Sequence, residues 1–294
     1  MRSMRRGFSG LRALMALCLC ASAAVAGPVE CIKAGVEFVY VDFGVYQLTE
    51  TLSIPSNVTI YCAPGAVFEA APGAFKGIHD VLIELKGTKN AIHHCTFRMR
   101  RDEYTEANGY PPSEWRHTIS LAGASDIYLG QIHADASGGD GVFIGPLVTG
   151  SYSEDRKPCQ RITIDHLTAA GNYRTGVAIT SCVDCAISDS VFSDTKGVST
   201  SAGLLIEPDH GGDRAANISV KRSTSRNNAG SAFRVNLNKQ NQNSQAVSIT
   251  FTDCKGEMVP RGHELMQVDE FNWNLNAVKP KGFIRWDRSS WENP

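Results

Sequence analysis

Titratable side chains gather at the ends of short apolar segments in the middle of the sequence. A carboxylate, a cation and an imidazole held in one cluster can supply an acid, a base and charge stabilisation for a cleavage or a proton transfer. The residues are His117, Asp140 and Arg174, each shortly before such a segment, and Glu207, Asp209 and His210, which follow the segment Gly-Leu-Leu-Ile.

We assign expected roles to these residues and to polar and aromatic residues near them. The expected catalytic residues are Arg174, Glu207, His210 and Asp140. The expected substrate-binding residues are His117, Asp209, Arg234, Asn236, Tyr110 and Trp115. Structural alternatives stand beside these roles: Asp140 is also a typical turn residue, Arg174 can serve only to pair with Asp140, and Glu207 can be a solvated surface carboxylate.

A repeat of short apolar segments positions these side chains. Six segments with apolar residues two positions apart have the period of a β-strand. They begin at Val81, His117, Gly141, Gly176, Gly203 and Ala232. A second series interleaves with the first, through Ile92, Ile127, Ile162, Cys185, Ile218 and Val247. The sequence therefore predicts two strands per repeat, with insertions that leave the repeat at one corner.

The spacing between the two series predicts a solenoid. Fifteen residues separate Ile127 from Val142, Ile162 from Val177 and Ile218 from Phe233. No amphipathic helix lies between the strands, so a sheet with helical crossovers is excluded. Short strands of this kind stack in parallel from coil to coil, with inward Val, Ile and Leu forming the core. We predict an all-β parallel β-helix of about seven or eight coils over residues 27–255.

Outward-facing positions in the first series are small in the middle coils. By strand parity they include Gly141, Gly145, Gly176, Ala178 and Gly203. Such a strip, bordered by insertion loops, predicts a shallow trough for an extended chain. The titratable residues above flank that strip on both edges.

The segment from Val41 to Ile60, Val-Asp-Phe-Gly-Val-Tyr-Gln-Leu-Thr-Glu-Thr-Leu-Ser-Ile-Pro-Ser-Asn-Val-Thr-Ile, resembles the opening coil of right-handed parallel β-helix proteins of the pectate lyase superfamily. Later coils, such as Ala202-Gly-Leu-Leu-Ile-Glu-Pro208, are similar to bacterial members of that group. The resemblance covers roughly residues 38–255 and implies a right-handed β-helix. It does not choose a reaction, because lyases, hydrolases, epimerases and non-catalytic binders share the fold.

The two ends of the chain depart from the repeat. Gly27–Phe38 is too short for the long capping helix that the resemblance implies, so we expect a different cap there. Residues 256–294 are expected to leave the repeat and to form a C-terminal cap that carries Trp273, Trp286 and Trp291.

The first 26 residues predict a secretory signal peptide. Four arginines precede or border an apolar run that ends in Ala24-Val25-Ala26, so we expect cleavage after Ala26 and a secreted or periplasmic protein. Without those arginines the chain has 25 basic and 30 acidic residues, a formal charge of about −5. No basic stripe or amphipathic segment indicates nucleic acid or a membrane surface as a partner.

Seven of the nine cysteines lie beyond the expected cleavage site. In an oxidising compartment some can pair, and the odd number leaves at least one unpaired within the monomer. Cys182 and Cys185 have the spacing of a metal or redox pair. A zinc site needs about four ligands, and no second pair matches, so buried or turn cysteines are the favoured interpretation.

Together these features favour a secreted enzyme that acts on an acidic polysaccharide, with β-elimination as the leading reaction. A base would remove the proton next to a uronate carboxylate while a cation neutralises that carboxylate, and Arg174 and His210 are the candidates. Asp140, Glu207 and Asp209 are expected to bind the sugar or a calcium ion. The alternatives are a glycoside hydrolase that uses Asp140 with Glu207 or Asp209, an epimerase, and a non-catalytic glycan binder of the tailspike kind.

Overall fold

A computed structural model describes residues 27–149, 155–198, 200–260, 263–264, 266–269 and 279–292. The predicted signal peptide, residues 1–26, lies outside the described residues. The described chain begins with a short helix, α1 (Pro28–Lys33), followed by β-strands. Two single-turn 3-10 helices, Arg101–Glu103 and Glu106–Asn108, interrupt them.

The strands are short, and most recur in groups of three. In chain order they are β1 (Phe38–Val41), β2 (Gly44–Leu48), β3 (Leu52–Ile54), β4 (Thr59–Cys62), β5 (Ala66–Ala70), β6 (Ile83–Leu85), β7 (Thr88–His93), β8 (Thr96–Arg98), β9 (Ile119–Ala122), β10 (Ser125–Gly130), β11 (His133–Asp135), β12 (Val142–Gly145), β13 (Leu147–Val148) and β14 (Arg156–Lys157). They continue with β15 (Cys159–Asp165), β16 (Thr168–Ala170), β17 (Val177–Ile179), β18 (Cys182–Ser188), β19 (Val191–Ser193), β20 (Leu204–Ile206), β21 (Ala215–Lys221), β22 (Thr224–Arg226), β23 (Phe233–Asn236), β24 (Val247–Thr252), β25 (Lys255–Glu257), β26 (Met266–Asp269), β27 (Gly282–Asp287) and β28 (Ser290–Glu292).

These strands form three parallel sheets that run the length of a solenoid. Sheet A contains β1, β4, β7, β10, β15, β18, β21, β24 and β27. Sheet B contains β2, β5, β8, β11, β16, β19, β22, β25 and β28. Sheet C contains β3, β6, β9, β12, β17, β20, β23 and β26. The predicted parallel β-helix is therefore confirmed, but each coil has three strands rather than the two expected. Sheet C is the first predicted series and sheet A the second.

Inward-facing apolar ladders fill the solenoid. In sheet C, Ile119, Val142, Val177, Leu204 and Phe233 are in register on consecutive coils, and all are fully buried. Aromatic rings on other strands stack in the same way, as Phe68 does on Phe97 with ring centroids 5.5 Å apart. This continuous core explains why no single coil needs to be stable alone.

A left-handed backbone position recurs in sheet A. Asp126, Arg161, Asp184 and Asn217 all have positive φ, between 53° and 59°, on four successive coils. Asp and Asn tolerate this region better than most residues. At Asp184 the resulting bulge lets both Cys182 and Cys185 face inward although they are three residues apart. Both are buried, as their interpretation as core cysteines predicted.

The C-terminal end of the solenoid differs from the expectation, while the N-terminal end has a short helix in place of a long capping helix. Helix α1, six residues long, covers the first coil with Cys31 and Ile32 buried. At the other end β26, β27 and β28 pair in parallel with β23, β24 and β25. Residues 256–294 therefore continue the repeat where the structure describes them, which corrects the expected departure at 256. Trp286 packs on Phe233 and Phe251 at this end of the core, and Trp273 lies outside the described residues.

One disulfide bond joins neighbouring coils. Cys62 at the end of β4 is bonded to Cys95, 33 residues later, in front of β8. Five other cysteines of the described chain are reduced and buried. No helix among the described residues has the length and apolar character needed to cross a bilayer.

Loops leave the solenoid on both sides of sheet C. Residues 146–158, 207–214 and 237–246 connect sheet C to sheet A, at the corner where insertions were predicted. Residues 99–118 form a longer loop between β8 and β9, which connects sheet B to sheet C. The ends of the sheet C strands are therefore bordered by loops on both sides.

Candidate functional site

Strand register in sheet C brings three of the predicted residues together. Ile119, Val142 and Val177 are paired on successive coils, so His117, Asp140 and Arg174 lie side by side just before their strands. Glu207 follows β20 on the next coil. The Arg174 side chain reaches both edges of the sheet, because it contacts Asp140 at one edge and Glu207 at the other.

Arg174 is the centre of the cluster. Its Nη1 lies 3.2 Å from Asp140 Oδ2, its Nη2 lies 2.5 Å from Glu207 Oε2, and its Nε lies 3.3 Å from Glu114 Oε2. The side chain is only 11% exposed. Burial alone would lower the pKa of the guanidinium, but the surrounding carboxylates, Asp140 first and then Glu207, raise it above its ordinary value. One cation is thus shared among three carboxylates.

Asp140 is the most deeply buried carboxylate of the cluster, with no solvent exposure. Its Oδ1 accepts a hydrogen bond from Thr175 Oγ1 at 2.6 Å, and its Oδ2 accepts one from Arg174. Burial raises the pKa of the Asp140 carboxyl, and both partners oppose that rise. Asp140 is therefore an anchor for Arg174 and is not accessible to a ligand.

His117 is held as a neutral ring. Its Nδ1 accepts a hydrogen bond from the backbone N–H of Asp140 at 3.1 Å, so the proton of the neutral imidazole lies on Nε2. Burial, then the positive charge of Arg174, lowers the His117 pKa to about 3. The ring stacks on Phe143 with centroids 4.7 Å apart. His117 therefore carries no charge near neutral pH, and the proton of its ring lies on Nε2.

Glu207 and Asp209 lie together at the loop edge of the cluster but differ in their partners. Glu207 accepts hydrogen bonds on both oxygens, from Arg174 on Oε2 and from Asn236 Nδ2 on Oε1 at 2.6 Å. Asp209 is exposed and has no hydrogen bond or ion pair with any described residue. The surrounding protein atoms desolvate the Asp209 carboxyl in part. This desolvation, and then the negative charge of Glu207, raise the pKa of Asp209 to about 6.

His210 and Arg234 lie near the cluster without joining it. His210 is exposed, and its Nδ1 accepts a hydrogen bond from the Gly212 N–H at 3.0 Å. Arg234 donates from Nε to Asp269 Oδ2 at 2.8 Å, one coil further along. Within the described chain no ion pair or hydrogen bond joins either side chain to Arg174.

The two aromatic residues predicted to bind substrate lie in the 99–118 loop, apart from the cluster. Tyr110 is 3% exposed, and its hydroxyl donates to the Ala74 carbonyl, so it anchors the loop. Trp115 is half-exposed and lies beside His79, with ring centroids 5.3 Å apart. Its sequence neighbour Glu114, which the sequence did not single out, is the residue that contacts Arg174.

The outward face of sheet C is partly covered. Phe143, Ala178 and Leu205 are in register on this face, yet Ala178 and Leu205 are only 1% and 0% exposed. The predicted open strip of small residues is therefore closed at these two coils. Accessible groups lie along its loop edge instead, at Asp209 and His210 and, partly, at Glu207 and Asn236.

The three carboxylates do not fit a calcium ion. Calcium takes six to eight oxygen ligands at about 2.3–2.6 Å, but both Asp140 oxygens and both Glu207 oxygens already accept hydrogen bonds. The Arg174 guanidinium occupies the position between Asp140 and Glu207 that a shared cation would need. We therefore derive no step that involves calcium.

Comparison with known proteins places the fold. No protein-family model and no curated protein sequence matches the chain. Among solved structures, the tailspike protein gp49 of the Acinetobacter baumannii bacteriophage Fri1, a capsular polysaccharide depolymerase, matches with a TM-score of 0.57 and 13% identity, covering 90% of this chain and 47% of its own. The Dettilon tailspike protein matches with a TM-score of 0.54 and 10% identity, covering 87% and 44%. An alginate lyase from Paenibacillus sp. FPU-7 matches with a TM-score of 0.53 and 11% identity, covering 90% and 98%.

These similarities define the architecture of the chain as that of a right-handed parallel β-helix. The chain spans less than half the length of the two tailspike chains and nearly the full length of the alginate lyase. At such low identity the fold is shared, while the site has to be interpreted from its own residues.

Proposed function

We propose that this protein is a secreted, polysaccharide-active enzyme that cleaves glycosidic bonds by hydrolysis at Glu207 and Asp209. The main observation behind this proposal is the contrast between the environments of these two neighbouring carboxylates. Glu207 is fixed by Arg174 and Asn236, whereas Asp209 is accessible and unpaired within the described chain. Two of the solved structures named above, the Fri1 capsular polysaccharide depolymerase and the alginate lyase, support a polysaccharide as the substrate class.

The division of roles follows from the two environments. Hydrolysis of a glycoside needs one protonated carboxyl to donate to the leaving oxygen and one carboxylate on the other side of the bond. Arg174 and Asn236 stabilise the ionised form of Glu207. The raised pKa of Asp209 keeps a proton available near pH 6. Asp209 is therefore the general acid, and Glu207 is the base or nucleophile.

β-Elimination is the second candidate, because His210 and Lys239 are both exposed at the same loop edge. The assignment of Arg174 as the neutralising cation loses support, since its charge is already shared among Asp140, Glu207 and Glu114. An incoming uronate would have to compete with these carboxylates.

Secretion is proposed from two features. Residues 1–26 have the pattern of a cleaved signal peptide, and the Cys62–Cys95 disulfide suits an oxidising compartment. Edman sequencing of the protein recovered outside the cytoplasm should begin at Gly27. Recovery of an uncleaved chain from the cytoplasm would contradict this part of the proposal.

The reaction is tested with the protein from residue 27 onward on pectate, alginate, other uronate polymers and neutral polysaccharides. Reducing ends and ultraviolet absorbance of unsaturated uronate are followed together. Hydrolysis predicts new reducing ends without absorbance. These ends should be lost in Glu207→Gln and in Asp209→Asn, and kept in the control Glu37→Gln, an exposed carboxylate near the first coil. New ends with absorbance would establish elimination, and the absence of both signals would leave an epimerase or a glycan binder.

A further inference from the structure

A second concave site lies next to the turns that carry the Arg174 cluster. It is a cleft of about 300 Å³ between the 101–116 loop and residues 138, 173 and 196–197 of three successive coils. Its lining residues Gly138 and Tyr173 lie within two positions of Asp140 and Arg174. The cleft therefore adjoins the turns that carry Asp140 and Arg174.

Arg116 forms the inner wall of the cleft and is only 1% exposed. Its Nε donates to the Gly77 carbonyl and its Nη2 to the carbonyls of Lys76 and Pro111, each at 3.2 Å. No carboxylate of the described chain lies within ion-pair distance of it. Burial lowers the pKa of Arg116, and Tyr104, the more distant carboxylate of Asp80, and Tyr110 oppose this only in part.

The remaining nitrogen of Arg116 is directed towards the cleft. Its Nη1 would lie 3.1 Å from a Cβ built on Gly138, a residue that lines the cleft and carries no side chain there. The guanidinium also lies over the rings of Tyr104 and Tyr110, 5.0 and 5.5 Å from their centroids. An aromatic face stabilises a cation but does not neutralise it.

Arg116 differs in this respect from Arg174, the other buried arginine of the described residues. Arg174 and Arg156 both pair with carboxylates, Arg156 with Asp213 at 2.7 Å. Buried cations are normally paired in this way, because an uncompensated charge in the interior is costly. The missing anion at Arg116 therefore points to a ligand.

Two more cations face the same cleft without a carboxylate partner in the described chain. Arg101 donates from Nη1 only to the carbonyls of Gly171 and Asn172, and Lys196 is exposed at the mouth. The acidic residues of the lining, Asp102 and Glu106, are both exposed on the outer rim. Arg116 and the half-buried Arg101 therefore place positive charge inside the cleft, while exposed residues of both signs, Lys196, Asp102 and Glu106, complete its lining.

We propose that this cleft binds one anionic sugar unit, a pyranose ring that bears a carboxylate or a sulfate. Its oxyanion meets Arg116, Arg101 and Lys196, and its ring contacts Tyr104 and Tyr173, which also line the cleft. The volume is at the lower end for small-molecule sites, which suits a single ring. Binding here goes beyond the proposed reaction and does not require it.

The test is isothermal titration calorimetry of the protein from residue 27 onward with three probes: D-galacturonate, D-galactose and sodium sulfate. Galacturonate should bind at least about tenfold more tightly than galactose, since only it carries an oxyanion. Arg101→Gln and Lys196→Gln should each weaken galacturonate binding by about fivefold or more, and added salt should do the same. Arg116 itself is not replaced, because it binds the carbonyls of Gly77, Lys76 and Pro111 and its loss would also disturb the loop.

Two controls separate the cleft from other surfaces. Lys255→Gln removes an exposed cation from β25 and should leave the affinity unchanged. Glu207→Gln alters the proposed reaction site and should also leave galacturonate binding intact, so failure of the reaction does not hide the result. Equal affinity for galactose, no loss in either cleft variant, or binding of none of the three probes would each overturn the proposal.

Discussion

Arg174 Nη2 and Glu207 Oε2 lie 2.5 Å apart although 33 residues separate them in the chain. One coil of the solenoid brings them together, since β17 and β20 are paired in register from Val177 with Leu204. The contact joins the residue that precedes one strand to the residue that follows the next. It couples the buried Asp140 to the accessible loop edge through a single guanidinium.

Arg174→Ala is expected to destabilise the fold as well as to stop turnover. Asp140 would keep its charge with no exposure and lose its cation, which costs about 3–5 kcal/mol for buried pairs. Urea denaturation should show this loss, and Asp140→Asn in the same chain should restore part of it. The sequence alone suggests a surface site at which Arg174→Ala would leave the stability unchanged. An unchanged free energy of unfolding in this variant would contradict the structure.

The control for that experiment is Arg222→Ala. Arg222 also forms an ion pair with a carboxylate one coil away, Asp189, but its side chain is 56% exposed. Exposed pairs contribute about 0–1 kcal/mol. If Arg222→Ala lost as much free energy of unfolding as Arg174→Ala, burial of the ion pair would not explain the effect of Arg174→Ala.

Asp209 should govern the alkaline side of the pH–rate profile. As the general acid it must be protonated, so kcat/KM should fall by about tenfold per pH unit once the pH exceeds the Asp209 pKa of about 6. Asp209→Asn should lower kcat/KM by about 10²–10⁴-fold and remove this limb. A limb that persists at the same pH in the variant would assign the acid to another group.

Asp209 should also affect stability, with a defined sign. Its carboxyl pKa is raised on folding from an unfolded value of about 3.9 to about 6, so the folded state binds more protons between these values. Stability from this group falls as the pH rises through that window. Asp209→Asn should therefore raise the melting temperature at pH 7.5 and leave it unchanged at pH 3. An increase of equal size at both pH values would contradict the raised pKa.

The fold was largely predictable because the inward residues of sheets A and C alternate with outward ones. Ile119, Val142 and Val177 lie in segments with a period of two, and Val142 and Val177 each follow their sheet A counterparts, Ile127 and Ile162, by 15 residues. Sheet B was missed since strands such as β8 and β11 have three residues with a single inward side chain, Phe97 or Ala134. One apolar residue between polar neighbours carries no period.

The site was predictable only where strand register determines it. Asp140 and Arg174 are near each other because they occupy corresponding turns of adjacent coils. Glu114 and Tyr110 lie in the 99–118 loop, whose path is set by its own contacts, including the Tyr110 hydroxyl on the Ala74 carbonyl. Sequence periodicity does not predict the path of such a loop. The sequence therefore favoured Trp115, whereas in the structure its neighbour Glu114 contacts Arg174.

His117 should make stability depend on pH in the acidic range. Its pKa is about 3 in the folded protein and about 6.5 when unfolded, so only the unfolded state takes up its proton between these values. Stability is complete above pH 6.5 and is lost as the pH falls, by up to about 1.4 kcal/mol per pH unit from this group. His117→Gln should remove that share of the slope, measured by urea denaturation from pH 4 to 7. The control His133→Gln, at a half-exposed histidine, should leave the slope of stability against pH unchanged.

The disulfide should be the covalent support of the first coils. Cys62 and Cys95 close a loop of 33 residues, which stabilises a fold by about 3–4 kcal/mol in the chain-entropy model. The variant Cys62→Ala/Cys95→Ala should lose about that free energy of unfolding, and dithiothreitol should lower the melting temperature of the parent but not of the variant. Cys31, Cys159, Cys182, Cys185 and Cys254 are buried, so a thiol reagent should label them only on unfolding. Rapid labelling of the native protein, or a reductant that changes parent and variant alike, would contradict this assignment.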